Sequence, residues 1–108
     1  IYIDCKLLKK VELQEGVMTI GQWCFSGCVK LSKVILPSTL TRLVDPFDGC
    51  YILKDVYVKA IAPPVLDSYA FRDTDLNQLS IWVPRESVEA YKNSGWSRYK
   101  DNIKAYDF

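Results

Sequence analysis

The four cysteines are the side chains of this sequence best suited to bind a metal or to form a covalent cross-link. Cys24 and Cys28 are four positions apart, a spacing that suggests a metal site. The sequence contains no histidine, so the mixed cysteine and histidine ligand sets common at zinc sites cannot form. The cysteines could instead form disulfides in an oxidising compartment. The repeat pattern described below bears on this choice.

Carboxylates form a second candidate site. The segment Asp73-Thr-Asp75-Leu-Asn77 begins like a calcium-binding loop, with oxygen ligands at alternate positions. Gln78 occupies the position where such a loop needs glycine, and Pro84 the position of the bidentate glutamate. We therefore interpret the segment as a solvated turn and expect neither a metal nor another cofactor.

The sequence lacks the residue patterns of common catalytic sites. No histidine can activate a serine, and the sequence has neither a Gly-x-Ser-x-Gly elbow nor a glycine-rich phosphate loop after a strand. A parallel β-helix acting on polysaccharide would need matched acids and bases along one strand face. Lys10, Lys33, Asp55 and Gln78 do not supply such a pair. We predict that this segment is not an enzyme.

Composition narrows the class of partner. Apolar residues make up 49% of the chain, which predicts a globular fold. Lys and Arg number 14 against 13 Asp and Glu, so no strong positive charge is available to hold a phosphate backbone, and we expect no nucleic-acid partner. No stretch approaches the roughly 18 apolar residues that a membrane span needs.

An internal repeat organises the chain. Leu8, Leu31, Leu53 and Leu76 are 23, 22 and 23 residues apart, and each opens a phrase of the form Leu-x-x-aliphatic-x-aliphatic. The two aliphatic positions are Val11 and Leu13, Val34 and Leu36, Val56 and Val58, and Leu79 and Ile81. Their alternation predicts one short strand per repeat. Consecutive strands should lie parallel, with the leucine columns forming one continuous core.

The cysteines and aromatic residues fall into further columns of this repeat. Cys5, Cys28 and Cys50 precede their leucines by three positions, and Tyr2, Phe25 and Phe47 precede those cysteines by three. A cysteine that recurs in one core column behaves as a small buried apolar residue. We therefore expect reduced, inaccessible thiols, with a disulfide between neighbouring repeats and a zinc site as the alternatives.

The pattern changes after Ile81. Residues 85–95 predict a helix that begins after Pro84 and stops at Gly95, with Val88 and Tyr91 on one face. A second short helical segment is predicted by Trp96, Tyr99 and Ile103, spaced i, i+3 and i+7. The prediction is a single domain over 1–108, with about four repeats over 1–84, the first partial, and a helical C-terminal cap over 85–108. We expect the full protein to extend further toward its N-terminus.

Two phrases connect this pattern to a known family. Phe25-Ser-Gly-Cys28-x-x-Leu31 and Phe47-Asp-Gly-Cys50-x-x-Leu53 resemble the BspA-type leucine-rich repeats of bacterial cell-surface proteins. Trp82-Val-Pro-Arg-Glu-Ser-Val-Glu-Ala-Tyr91 resembles the closing segment that such proteins often carry. The resemblance implies an α/β solenoid with short parallel strands on its concave face and irregular or short helical convex turns. It also implies a secreted or surface-anchored protein that acts in adhesion, and it carries over no catalytic residues.

Outward strand positions supply the candidate binding residues, which we expect on the concave face. These are Tyr57, Trp82, Ile35, Lys59, Glu12 and Lys33. Aromatic residues in such places form binding hot spots, although Trp82 could instead pack under the cap and Ile35 could be an ordinary exposed apolar residue. We predict a monomeric, extracellular or surface-displayed module that binds a host-matrix or bacterial surface protein. A carbohydrate-binding or purely structural stalk segment is the alternative.

Overall fold

The computed structural model describes residues 5–22, 24–66 and 70–108, which form short strands linked by turns. The strands are β1 (Lys10–Glu12), β2 (Thr19–Ile20), β3 (Lys33–Leu36), β4 (Arg42–Leu43), β5 (Asp55–Val58), β6 (Val65–Leu66), β7 (Ser80–Pro84) and β8 (Ile103–Tyr106). The helical segments are a 3-10 helix at Arg85–Ser87, α1 at Val88–Lys92 and a 3-10 helix at Ser97–Asn102. The predicted fold class, short parallel strands with a few short helices, is confirmed.

Two parallel sheets are built from successive repeats. The larger has the order β1-β3-β5-β7-β8 and the smaller the order β2-β4-β6, so each of the first three repeats gives one strand to each sheet. The smaller sheet was not predicted, because the return segments were expected to be irregular or helical. Its rungs pair residues such as Ile20 and Leu43, both buried, and burial of one side chain per rung explains why these two-residue strands are regular.

The register of the fourth repeat differs from the prediction. Val56 pairs with Ile81 and Tyr57 with Trp82, whereas the leucine spacing predicted Leu79 and Ser80 as their partners. The third repeat is longer than the others, so the strand begins two residues later than the period predicts. A shift of two preserves the alternation of inward and outward side chains. The prediction that Leu76 lies in the core is wrong, because Leu76 is 43% exposed while Leu79 is buried.

The core consists of side chains repeated from rung to rung. Val34, Val56 and Ile81 are fully buried on the inner side of the large sheet. The rings of Phe25 and Phe47 stack at 5.9 Å, and Phe71 continues the column at 5.5 Å from Phe47 although it comes late in its repeat. The predicted column also includes Tyr2, which lies outside the described residues.

The turns after the aromatic column bring neighbouring repeats close together. Gly27 and Gly49 adopt positive φ angles of 74° and 78°. A Cβ on Gly49 would lie 3.2 Å from the backbone nitrogen of Gly27, so a side chain there would crowd the preceding rung. Glycine is therefore required at Gly49 both for its backbone conformation and for the close approach of the preceding turn.

The cysteine column contains a disulfide, and the prediction of reduced thiols is wrong for two of its members. Cys5 and Cys28 are bonded, with their Cα atoms 5.0 Å apart. Stacked parallel rungs place equivalent residues about 4.8 Å apart, which lies within the range that a disulfide can bridge. Cys50 and Cys24 are free, and Cys50 is buried. Its Sγ donates to the carbonyl of Phe25 at 3.2 Å, and burial raises the pKa of the thiol to about 12.

The cap covers the end of the core and adds a strand to the sheet. Tyr91 Oη donates to the carbonyl of Ala60 at 2.6 Å, and Trp96 Nε1 donates to the carbonyl of Pro64 at 2.8 Å, both from buried rings. The cap was predicted as entirely helical. Ile103 instead begins β8, which pairs in parallel with β7. The helix at Val88–Lys92 is also shorter than the one predicted over 85–95.

Candidate binding face of the five-stranded sheet

The outward side of the five-stranded sheet, here called the outer face, is the side that was predicted to be concave. Its central row crosses all five strands and consists of Glu12, Ile35, Tyr57, Trp82 and Lys104. The alternation of the strands turns these side chains away from the core, because their neighbours along the chain point inward. Residues that are 22 to 25 positions apart in sequence therefore form one continuous surface.

Four aromatic rings meet on this face, and we call them the aromatic cluster: Tyr57, Trp82, Tyr106 and Phe108. Tyr57 and Trp82 stack with centroids 6.0 Å apart and planes inclined by 14°. The ring of Tyr106 meets Tyr57 edge-on at 5.2 Å and lies 4.7 Å from Phe108. Such pairs contribute about 0.5–1.5 kcal/mol each beyond simple burial, so the rings hold one another in place.

A hydrogen bond orients the indole of the stacked pair, and the surroundings of the phenol keep it protonated. Trp82 Nε1 donates to a carboxylate oxygen of Asp55 at 2.9 Å. Desolvation raises the pKa of the Tyr57 phenol, and the charge of Asp55 and the nearby Tyr106 raise it further. Tyr57 therefore keeps its hydroxyl proton and can donate a hydrogen bond at neutral pH.

Lysines flank the stacked rings on both sides. Lys33 Nζ lies 5.2 Å from the centroid of the Tyr57 ring, and Lys104 Nζ lies 5.5 Å from that of the Trp82 ring. Both distances allow a cation–π attraction. Lys104 also donates to the hydroxyl of Ser80 at 2.9 Å, which helps to hold it over the indole.

A pocket of about 160 Å³ opens beside the aromatic cluster. It is lined by Lys33, Ile35, Tyr57, Lys59, Tyr106 and Phe108. A second depression of about 240 Å³ shares Lys59, Tyr106 and Phe108 with it and continues toward the ion pair of Arg85 and Asp107. Tyr106 and Phe108 therefore stand between two neighbouring hollows.

The six predicted binding residues occupy different places in this arrangement. Ile35, Tyr57, Lys59 and Lys33 line the pocket together. Trp82 stacks against Tyr57 and does not line the pocket. It also contacts Tyr106 of the cap, in agreement with the alternative prediction that Trp82 packs under the cap. Glu12 is exposed on β1, one strand beyond Ile35, and does not line the pocket. That these residues bind a ligand stays a prediction.

Sequence reasoning missed Tyr106 and Phe108, because the segment that carries them was assigned to a helical cap. A signal for β8 was present in the sequence. Ile103 follows Ile81 by 22 residues, which is one repeat length, and the two residues pair in the structure. Applying the repeat spacing beyond Ile81 would have placed Tyr106 on the outer face.

The carboxylates considered as calcium ligands accept hydrogen bonds from backbone N–H groups, Asp73 from the preceding repeat and Asp75 from its own turn. Asp73 accepts a hydrogen bond from the backbone N–H of Gly49 at 2.9 Å, and Asp75 accepts one from the backbone N–H of Asn77 at 3.0 Å. Across residues 5–22, 24–66 and 70–108, no group of three or more Cys, Asp or Glu residues could hold a metal ion. The two aspartates thus act as turn residues in this fold.

The stacked parallel strands and the outward-facing row of side chains define a repeat solenoid. The model of the family described as "BspA type Leucine rich repeat region (6 copies)" matches residues 1–97. Because the match covers most of the chain, this protein belongs to the BspA-type leucine-rich repeat family. Comparison with curated proteins gave no match. Membership in this family is consistent with a protein-binding module of the cell surface.

A membrane-spanning helix needs roughly 20 apolar residues. The helical segments of the described ranges fall well short of that length and apolar character.

Proposed function

We propose that this domain is a non-enzymatic binding module, secreted or displayed on a cell surface, that adheres to a host or microbial protein through the outer face. The observation that carries the proposal is the aromatic cluster beside an open pocket. Tyr106 and Phe108 are 41% and 50% exposed, and Tyr57 is half-buried among them. Large apolar groups grouped on one exposed surface are typical of protein interaction sites.

The geometry favours high affinity from few residues. Aromatic side chains bury much area on binding and lose little conformational entropy. Tyr57 is already held by Trp82 and Lys33, so most of the ordering that binding would require is present in the unbound protein. Preorganisation of this kind lowers the entropic cost of association. We expect truncation of Tyr57 to cost about 2 kcal/mol or more of binding free energy.

The non-enzymatic part of the proposal rests on the chemistry of the outer face. The carboxylate of Asp55, which is partly buried, accepts a hydrogen bond from Trp82, and the sequence has no histidine to act as a base. Lysines and aromatic rings, which dominate the pocket, suit recognition better than proton transfer at neutral pH.

A binding screen tests the proposal. The purified domain is applied to arrays of extracellular-matrix proteins, bacterial surface proteins and glycans, and each hit is measured with the parent protein and with Tyr57→Ala. Tyr51→Ala is a matched control, because Tyr51 is 58% exposed but lies in a turn away from the outer face. The proposal predicts that Tyr57→Ala alone weakens binding to a protein hit.

Three outcomes would count against the proposal. Unchanged affinity of a correctly folded Tyr57→Ala variant would move the site away from the outer face. Hits confined to glycans would favour the carbohydrate-binding alternative, and a screen without hits would favour the structural stalk.

A further inference from the structure

The flat faces of the two central rings are already occupied. Lys33 on β3 and Trp82 on β7 approach Tyr57 from opposite sides, because β5 lies between those two strands. Trp82 in turn lies between Tyr57 and Lys104 of β8. The outer face thus carries a continuous stack of cation, ring, ring and cation across four strands.

This stack determines which part of each ring a ligand can touch. A neutral sugar binds aromatic residues best by lying flat on a ring face, and the neighbouring strands cover those faces of Tyr57 and Trp82. Tyr106 and Phe108 meet Tyr57 edge-on and cover part of its edge. The part of each ring that remains toward solvent is an edge, and an aromatic edge carries partial positive charge. The exposed surface of the stack therefore favours anionic groups over flat neutral ones.

The charged residues of the outer face also favour an anionic ligand. Lysines occupy four outward positions, namely Lys10, Lys33, Lys59 and Lys104. The outward carboxylates of the strands are Asp55, which accepts from Trp82 Nε1, and Glu12, which lies one strand beyond the pocket. Glu86 and Asp107 line the second depression, where Asp107 pairs with Arg85. Glu15 is close enough to Lys59 to feel its charge, but its two oxygens accept hydrogen bonds from the backbone N–H and hydroxyl of Ser38. The lining of the pocket itself therefore carries two lysines and no carboxylate, although the whole chain has a net charge of only +1.

The pocket has room for one side chain. Its volume of about 160 Å³ is close to that of an engineered protein cavity of about 150 Å³ that holds a benzene molecule. Ile35, Tyr57, Tyr106 and Phe108 give it an apolar lining, and the ammonium groups of Lys33 and Lys59 supply positive charge at the same opening.

We propose that the outer face binds an acidic protein segment, with one aromatic or large aliphatic side chain in the pocket and neighbouring Asp or Glu carboxylates at Lys33 and Lys59. This inference rests on the proposed function and specifies the chemistry of the partner. An acidic polypeptide supplies an apolar group and carboxylates within a few ångströms of each other, as the lining demands.

An NMR titration with synthetic peptides tests this specificity. Three capped peptides are identical except at the residues that flank a central Phe, which are Glu, Gln or Lys. Isotope-labelled domain is titrated with each, and an oligogalacturonate serves as an acidic saccharide probe. We expect the Glu peptide to shift the amide signals of Ile35, Tyr57, Lys59 and Tyr106, with a dissociation constant about fivefold or more below that of the Gln peptide.

Variants separate pocket charge from total charge. In Lys33→Gln/Lys59→Gln the preference for the Glu peptide over the Gln peptide should fall to about onefold. In Lys30→Gln/Lys54→Gln, which loses the same charge from exposed residues outside the pocket, the preference should persist. Added salt should reduce the preference of the parent protein for the Glu peptide, because Lys33 and Lys59 are open to solvent on one side.

Equal affinity for the three peptides, tighter binding of the Lys peptide, or no binding of any peptide would overturn the inference. Oligogalacturonate binding at the same signals without peptide binding would overturn the choice of a protein partner. These failures differ from failure of the proposed function. A protein hit from the screen that depends on Tyr57 but not on Lys33 and Lys59 would leave the binding face in place and remove only its acidic specificity.

Discussion

Tyr57 and Trp82 stack on the outer face although they are 25 residues apart, while the leucine spacing predicts Ser80 as the neighbour of Tyr57. The difference arises because the third repeat is longer than the first two. The pairing places an aromatic residue beside Tyr57 in place of a small polar one. The aromatic cluster therefore depends on the length of the third repeat, in which the extra residues lie both before and after the start of β6.

The register of the fourth repeat predicts that Leu31 and Leu76, which share a column in the sequence, contribute differently to stability. Leu31→Ala should lower the free energy of unfolding by about 2–5 kcal/mol, because Leu31 is fully buried and the substitution leaves a cavity. Leu76→Ala should change it by no more than about 0.5 kcal/mol, because Leu76 is largely exposed. Urea denaturation of both variants measures the difference. Equal losses would show that Leu76 belongs to the core column after all.

The repeat and its inward positions could be predicted from the sequence, because burial imposes the same aliphatic residues on every rung. Val34, Val56 and Ile81 were all placed inward, and all are buried. Alternation identifies the face on which a residue lies but not the rung partner, since a shift of two residues preserves it. The pairing of Tyr57 with Trp82 depended on that shift. The position of Tyr106 beside them depended on β8, whose spacing matches the repeat although its sequence lacks the leucine phrase.

Counting free thiols tests the disulfide between Cys5 and Cys28. Thiol titration in denaturant without reductant should find two thiols, those of Cys24 and Cys50, and four after reduction. Loss of the disulfide in Cys5→Ser should cost about 3 kcal/mol of stability, because the bond closes a loop of moderate length in the unfolded chain. Four thiols before reduction, in protein never exposed to reductant, would contradict the assignment.

Cys50 should make the fold sensitive to alkaline conditions. The pKa of its thiol is about 12 in the folded protein and near 9 ordinarily. Above pH 9 the unfolded chain loses this proton while the folded chain keeps it. Stability from this thiol is therefore complete below pH 9 and is lost progressively between pH 9 and pH 12.

Urea midpoints at pH 8.5 and pH 10.5 measure this effect, since the two values lie on either side of the ordinary pKa of 9. The fall in midpoint should be smaller in Cys50→Ala than in the parent. Cys24→Ala is the control and should fall as the parent does. An identical fall in all three proteins would mean that other groups, such as the buried phenol of Tyr91, account for the alkaline loss.

β8 has two separable roles, in covering the sheet and in forming the pocket. Deleting residues 103–108 removes the strand that pairs with β7 and exposes the edge at Ile81, so we expect marked loss of stability or aggregation.

The double variant Tyr106→Ala/Phe108→Ala keeps the backbone pairing and the buried Ile103, but removes two walls of the pocket. It should stay monomeric and lose only the modest free energy of its edge-on ring contacts, about 1–3 kcal/mol in all. Its affinity for a partner found in the screen should fall at least as far as that of Tyr57→Ala. Size-exclusion chromatography and urea denaturation report the first role, and binding measurements report the second. A double variant that binds as well as the parent would show that the pocket is not part of the contact surface, and a stable monomeric deletion protein would show that β8 is not needed to cover the sheet.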